Sequence, residues 1–169
     1  MGVKVGRTIN IPYFIRLNPR KEQLQSALRT HLRSLPLNYC LGVSLTLKQF
    51  VNGARLDVIR ASQNLRHFMN RLNASVHGKA FKRFGRRLNV IPSIEKSSEG
   101  RLHYHLVLQD PYPDDPQRTK ALIEEQWGRT CFGYRQTHVH WQIDRGWTDY
   151  ITKLRTASDG IDWENYHWN

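Results

Sequence analysis

A tight turn between two alternating runs, within residues 88 to 109, constrains the fold of this chain more than any other feature. Residues 98 to 100 read Ser-Glu-Gly, which is typical of a three-residue hairpin loop with Gly100 in the left-handed conformation. Such a loop places Glu95 directly opposite His103. The sequence therefore predicts a β-hairpin of defined register, and with it an antiparallel sheet.

Three potential metal ligands lie on one face of this hairpin. Because strand side chains alternate between faces, His103 and His105 share a face, and Glu95 joins them from the neighbouring strand. Two imidazoles and a carboxylate can hold a divalent cation and leave positions open for a substrate phosphate. The His-x-His motif is weak alone, since the chain has 8 histidines and His138-Val-His140 repeats it.

The other periodic segments complete a fold class. They predict strands over 40–48, 88–95, 101–109 and 137–143, and helices over 57–73, from Pro116, and over 145–155. This order is that of an α+β, ferredoxin-like or RRM-like βαββαβ antiparallel sheet with its crossover helices on one face. A helix opened by Pro19 and ended by Pro36 precedes the sheet, and a C-terminal helix carries Tyr150.

The second face of the predicted sheet is polar and open. The apolar positions of the four strands turn toward the crossover helices, so the alternate positions share the opposite face. Those positions are Ser44, Thr46, Glu95, His103, His105, His138 and His140. A polar surface built by four separate strands is hard to explain by packing alone.

The charge of the chain favours a polyanionic partner. Lys and Arg number 26 against 14 acidic residues, for a formal net charge of +12. A basic segment interleaved with Phe81 and Phe84 suits phosphate contacts and base stacking, and its cations are Lys79, Lys82, Arg83, Arg86 and Arg87. The alternatives are a solvated loop anchored by the two phenylalanines, and a basic protein without such a partner.

Cysteine usage and hydropathy predict an intracellular protein. Cys40 and Cys131 lack the spacing of a zinc site and are too few for a disulfide framework. We find no apolar run of about 20 residues and no secretory signal, so we expect neither membrane insertion nor export.

Tyr150 and Lys153 are candidates for a nucleophile and its partner. They stand three residues apart on a predicted helix and so lie near each other on its surface. A tyrosine needs a nearby cation or base to attack phosphorus, because its pKa is about 10. Taken singly, each also suits a surface position without chemistry.

The ordered set of these motifs resembles a known family. The chain carries, in sequence, Val43-Ser-Leu-Thr-Leu47, then Glu95, then His103-Tyr-His105, then Tyr150-Ile-Thr-Lys153. This set is similar to that of single-tyrosine HUH endonucleases of the rolling-circle replication initiator (Rep) type. The resemblance spans roughly residues 40–155. It implies an N-terminal arm and helix over 1–39 that pack on the core, an HUH endonuclease domain over 40–157 and a C-terminal tail over 158–169.

The resemblance implies an enzyme and assigns its site residues. Glu95, His103 and His105 would bind Mg²⁺ or Mn²⁺, and Tyr150 would attack the scissile phosphate. The product would be a 5′-phosphotyrosyl adduct with a free 3′-hydroxyl that primes replication. Lys153 would stand beside the phosphate.

The resemblance also implies partners. The substrate would be single-stranded DNA or an origin hairpin, with a host helicase or polymerase as a further partner. The protein would be a monomer or weak dimer in the cytoplasm of a bacterial or archaeal host. The predicted DNA contacts are Ser44, Thr46, Lys79, Lys82, Arg83, Arg86, Arg87, His138 and His140.

Two alternatives remain open. A transposase or relaxase of a mobile element uses similar residues, but a transposase usually has its third ligand after the tyrosine and a relaxase has three clustered histidines. Glu95, placed upstream, favours the replication type. A noncatalytic RRM-like nucleic-acid-binding module has the same sheet topology, but such a module has no use for a metal group.

Overall fold

The computed structural model describes residues 19–152 and 160–169. The predicted N-terminal arm and Lys153 lie outside these ranges. None of the helices within them has the length and hydropathy needed to cross a lipid bilayer. The elements are α1 (Pro19–Ser34), β1 (Cys40–Leu47), β2 (Phe50–Val51), β3 (Ala54–Arg55), α2 (Val58–His77), α3 (Lys79–Phe84), β4 (Val90–Lys96), β5 (Leu102–Gln109), α4 (Pro116–Gly128), β6 (Gly133–His140) and α5 (Arg145–Ile151).

Four strands form one antiparallel sheet in the order β4-β5-β1-β6. The predicted α+β class is therefore confirmed, and the sheet is consistent with a ferredoxin-like fold. Pro92 lies in β4 at the edge of the sheet, where a missing N–H is tolerated. The short strands β2 and β3 pair across a turn in which Asn52 and Gly53 both have positive φ.

The first core layer lies between the sheet and the helices α2 and α4. The alternate β1 residues Leu41, Val43, Leu45 and Leu47 are all buried in it. Phe68 of α2 and Trp127 of α4 pack in this layer with their rings edge to face, 5.4 Å apart. Asp57 and Asp115 cap the two helices by accepting backbone N–H groups of their first turns, which fixes where each helix begins.

The opposite face is not open along its whole length, so this part of the prediction is wrong. One half of that face carries the apolar side chains of Cys40, Ile91 and Val107, which α1 and α5 cover through Leu32 and Ile151. We call it the apolar half, and we call the half that carries the predicted metal ligands the polar half. Helices therefore lie on both faces of the sheet. The physical reason is that these three residues occupy the same face as the predicted polar positions and need apolar cover of their own.

Several element boundaries also differ from the predictions. The predicted helix 57–73 continues to His77, and the predicted strand 137–143 is β6 at 133–140. Trp141 is exposed beyond the end of β6, so its hydropathy misled the strand assignment. The pairing of β1 with β6 also shifts between Leu45 and Leu47, an irregularity that no periodicity reveals.

The C-terminal segment closes the outer edge of β4. The backbone of His167 exchanges two hydrogen bonds with Val90, and the N–H of Ile94 donates to the carbonyl of Gly160. This pairing occupies an edge that would otherwise present unpaired backbone groups. Asp162 holds the segment to the core, because its carboxylate accepts the hydroxyl hydrogen of the fully buried Tyr104 at 2.9 Å.

Candidate metal centre

The hairpin of β4 and β5 has the predicted register. Glu95 pairs with His103, and Gly100 has φ of 80° in the loop. The N–H of Ser97 donates to the carbonyl of Arg101 at 2.8 Å, which closes the three-residue loop. The loop chemistry thus decides which residue of β4 faces the histidines of β5.

Glu95, His103 and His105 converge on one face of the sheet, and we call them the metal group. The Oε2 atom of Glu95 lies 3.0 Å from Nε2 of His105 and 3.4 Å from Nε2 of His103. The three potential ligand atoms all lie within 4.8 Å of one another. His105 is buried, whereas Glu95 and His103 are partly exposed. One ligand is thus fixed by packing, and the other two face the side from which a substrate can approach.

Ser44 orients His105 by contacting the Nδ1 side of its ring. Its hydroxyl lies 3.0 Å from Nδ1 of the imidazole, and Ser44 pairs with His105 across β1 and β5. This contact leaves Nε2 directed at Glu95. An imidazole that binds a metal through one nitrogen usually has a hydrogen bond at the other, which fixes its tautomer and ring orientation.

The environment of His105 keeps its imidazole neutral. Burial lowers the pKa of His105 to about 4, and the nearby His103 contributes in the same direction. Glu95 opposes these effects but does not overcome them. Since a metal binds the neutral imidazole, little proton competition is expected at His105 near neutral pH.

Tyr150 reaches the metal group from α5. Its hydroxyl lies 3.3 Å from Nε2 of His105, and the two rings meet edge to face with centroids 4.8 Å apart. Burial raises the pKa of the Tyr150 hydroxyl, and the negative charge of Glu95 raises it further. The structure therefore brings the predicted nucleophile and the predicted ligands together.

Trp147 packs α5 onto the sheet at this point. Its indole stacks on Tyr150 with ring centroids 5.5 Å apart and lies 4.5 Å from the ring of His140. Beneath it is Gly42, where an added Cβ would lie 2.6 Å from Cε2 of the indole. The buried Nε1 of Trp147 has no hydrogen-bond partner among the described residues. Packing, rather than hydrogen bonding, therefore holds this indole.

The helix α1 holds the far end of α5. Gln25 donates to the carbonyl of Thr152 at 2.7 Å, and Arg33 pairs with Asp149 at 2.8 Å. From the sheet, the buried Ser93 donates its hydroxyl to the carbonyl of Ile151 at 2.8 Å. The helix that bears Tyr150 is thus fixed both by α1 and by β4.

The other predicted contacts on this face border the metal group. Thr46 pairs with His103, and its hydroxyl donates to the carbonyl of Gln136 at 2.7 Å. His138 and His140 are exposed on β6, opposite Ser44 and Gly42 respectively. Neither histidine belongs to a potential metal-binding group among the described residues.

The basic segment is not brought to the metal group. It comprises α3 and the residues that follow, and no residue of α3 is buried. It follows α2, which packs on the face of the sheet that does not carry the metal group. The chain then enters β4 at Val90, about 17 Å along the strand from Glu95. Phe84 is 81% exposed and does not anchor the segment to the core. Phe81 lies under the guanidinium of Arg87, with 5.0 Å between Cζ and the ring centroid.

The sequence did not indicate that some residues of this face lie near the metal group. Trp147 was predictable only as a packing residue of its helix, and Gly42 only as a small residue of β1. Tyr134 and Gln136 lie before the predicted start of the last strand, yet both border the same cavity as His103. Tyr134 and Gln136 can be assigned to the sheet only once β6 is seen to begin at Gly133.

The residues of the metal group fit a divalent cation. Two imidazole nitrogens and a carboxylate oxygen on adjacent antiparallel strands form a facial set of donors with one side open. Comparison of the chain with protein-family models, curated proteins and solved structures finds no match.

Proposed function

We propose that this protein is a metal-dependent endonuclease and strand transferase that cuts and rejoins single-stranded DNA through a 5′-phosphotyrosine, as single-tyrosine HUH initiators of rolling-circle replication do. One observation carries the proposal: the phenol of Tyr150 lies 3.3 Å from a nitrogen of the metal group. Each of these residues has a structural explanation alone. Their convergence from β4, β5 and α5 has none.

The fold supports this reading. The central strands β5 and β1 lie between β4 and β6. The connection from β1 to β4 contains α2, and α4 connects β5 to β6. We assign this arrangement to the ferredoxin-like βαββαβ topology. The division of the chain at residues 39 and 157 follows the same proposal, in which α1 packs on the sheet through Leu28 and Leu32.

Mg²⁺ or Mn²⁺ is the proposed cofactor, held by Glu95, His103 and His105. When bound, such an ion supplies positive charge that polarises the scissile phosphate and favours the phenolate of Tyr150. Ser44 keeps the His105 ring aligned for this role. No nucleotide cofactor is required, because the energy of the cleaved bond is retained in the tyrosyl ester.

The reaction is a transesterification at phosphorus. The phenol oxygen of Tyr150 forms a bond to the phosphorus, the bond from phosphorus to the 3′-oxygen breaks, and the proton lost by the phenol is balanced by the one gained at the 3′-oxygen. Trp147 and His105 hold the phenol ring at the site, so the attack begins from a positioned group. Lys153, three residues beyond the tyrosine, is proposed to stabilise charge on the phosphate.

The charge of the chain supports DNA as the substrate. The net charge of +12 would attract a polyanion. We propose that a single strand crosses the polar half of the sheet, past His138, and that the basic segment at α3 contacts a second part of the DNA, such as the duplex of an origin hairpin.

Tyr150→Phe tests the nucleophile. We expect this variant to bind single-stranded DNA but to form no covalent adduct, measured as a gel-shifted species that survives denaturation after incubation with Mn²⁺. Tyr39→Phe is the matched control, because Tyr39 is exposed at the opposite end of β1. An undiminished adduct in Tyr150→Phe rejects the nucleophile. A wild-type protein that binds many oligonucleotides and cuts none supports a noncatalytic binding module.

His103→Ala tests the metal group. Both Mn²⁺ affinity and cleavage should fall together in this variant, because one of three ligands is lost. His138→Ala, on β6 and outside the metal group, should retain metal affinity. Retained cleavage by His103→Ala at ordinary Mn²⁺ concentration would place the site elsewhere.

A further inference from the structure

A cavity adjoins the metal group on the side away from Tyr150. Its volume is about 440 Å³, and its walls include the metal-group residue His103 and the neighbouring Thr46. The hairpin loop, with Arg101, forms one side, and Tyr134 and Gln136 at the start of β6 form the other. The cavity therefore shares His103 with the site where the scissile phosphate is proposed to bind.

The lining combines the chemistry of nucleotide recognition. Tyr134 is 44% exposed, so its side chain is accessible to a base. Arg101 is exposed at the rim and offers a cation, and Gln136 is exposed and carries an amide that can both donate and accept. Aromatic faces, a guanidinium and an amide are the groups that hold unpaired bases and their phosphates.

We propose that this cavity is a subsite for one unpaired nucleotide adjacent to the scissile phosphate. The base stacks on Tyr134, Gln136 contacts the edge of the base, and Arg101 contacts a phosphate. The inference rests on the proposed function and deepens it, since it names the residues that select the nucleotide beside the cut. A base within a duplex cannot enter, because its faces and pairing edge are already occupied.

Binding without metal tests the subsite separately from catalysis. The probe is a fluorescein-labelled oligothymidylate in EDTA, followed by fluorescence anisotropy. Loss of one stacked base predicts a Kd for Tyr134→Ala that is weaker on the order of 5- to 100-fold, and Tyr134→Phe should retain most of the affinity. Tyr39→Ala removes an exposed tyrosine far from the cavity and should leave Kd unchanged.

A matched pair of arginine variants tests the rim. Arg101→Ala should weaken binding and reduce its salt dependence, because a phosphate contact is lost. Arg129→Ala removes an exposed cation that pairs with Glu125 on α4, so it changes the net charge equally without touching the cavity. Equal effects of the two variants would attribute the loss to overall charge and overturn the role of Arg101.

Photocrosslinking locates the base directly. An oligothymidylate with one thymine replaced by 5-bromouracil is irradiated on the wild-type protein, and tryptic peptides are identified by mass spectrometry. We expect the crosslink in peptide 130–135, which contains Tyr134, and none in peptide 121–129, which belongs to α4 and contributes no residue to the cavity.

The outcomes separate the two proposals. Wild-type affinity in Tyr134→Ala, with no crosslink in peptide 130–135 and an intact covalent adduct, overturns the subsite and leaves the nuclease standing. Absence of both DNA binding and adduct in the wild-type protein overturns both. Tighter binding and stronger crosslinking of an oligouridylate than of the oligothymidylate would redirect the subsite from DNA to RNA and overturn the DNA assignment.

Discussion

Gly42→Ala should misplace the nucleophile without touching a ligand of the metal group. A Cβ at this position would lie 2.6 Å from Cε2 and 2.7 Å from Cζ2 of Trp147. Carbon atoms pack favourably at about 3.5–4.0 Å, so the indole must move by about 1 Å. Trp147 stacks on Tyr150, and we expect the displacement to reach the phenol.

The magnitudes follow from this clash. Overpacking costs about 1–3 kcal/mol, offset by about 0.4–1 kcal/mol from the lower entropy of the unfolded chain, so we expect a net loss of roughly 1–2 kcal/mol. A displacement of 1 Å near the reacting atoms can slow a reaction about 10²-fold. Adduct formation should therefore fall far more than the small loss of stability explains.

The assay compares three quantities in the same preparations. Urea unfolding gives stability, Mn²⁺ titration gives metal affinity, and single-turnover adduct formation gives the rate. Gly128→Ala is the matched control, because a Cβ there meets nothing within 4 Å at the end of α4. Adding Trp147→Phe to Gly42→Ala supplies a smaller ring and should restore part of the stability lost by Gly42→Ala. A wild-type rate in folded Gly42→Ala would refute the positioning argument.

Three further predictions concern the groups around the site. Ser44→Ala should weaken Mn²⁺ affinity about 10- to 100-fold, measured by electron paramagnetic resonance of free Mn²⁺, whereas Ser44→Thr keeps the hydroxyl and should retain more of it. In EDTA, the free energy of unfolding of the wild-type protein should fall as the pH drops from 6.5 toward 4. The reason is that the pKa of the buried His105 is about 4 in the folded state, so over this range only the unfolded chain binds the proton. The loss approaches roughly 3 kcal/mol, and His105→Gln should show a shallower pH dependence of urea unfolding. Asp162→Ala should destabilise the protein by about 1–3 kcal/mol by leaving the buried Tyr104 hydroxyl without this acceptor, and a second change, Tyr104→Phe, should recover part of that loss in thermal unfolding.

The hairpin was predictable because its determinants are local. The loop residues set the register, and alternation then places Glu95, His103 and His105 on one face without reference to the rest of the chain. Helix starts at Asp57 and Asp115 are local in the same sense, since the cap side chain bonds the first turn. Contacts within a few residues are what a single sequence displays.

The bounds of the last strand and the second layer were not predictable for the opposite reason. Gly133, the first residue of β6, packs against Trp127, where a Cβ would lie 2.1 Å from the carbonyl oxygen. This is a tertiary constraint on a stretch with no strong alternation. Ile91 and Val107 likewise read as members of a polar face until α1 and α5 are seen to cover them.

The division of that face into a polar and an apolar half explains where the nucleophile lies. With seven residues, α5 is too short to be stable alone, so its position must come from packing. Ile151 is buried among residues of α1 and the apolar half of the sheet, whereas Tyr150, one residue earlier, borders the polar half and contacts His105. The ion pair between Arg33 and Asp149 is exposed and contributes little, so the apolar contacts of Ile151 with α1, together with the packing of Trp147 on Gly42, set the height of the phenol over the metal group. The N-terminal helix α1 carries no residue of the metal group, but by this reasoning it positions Tyr150 and is therefore needed for the site.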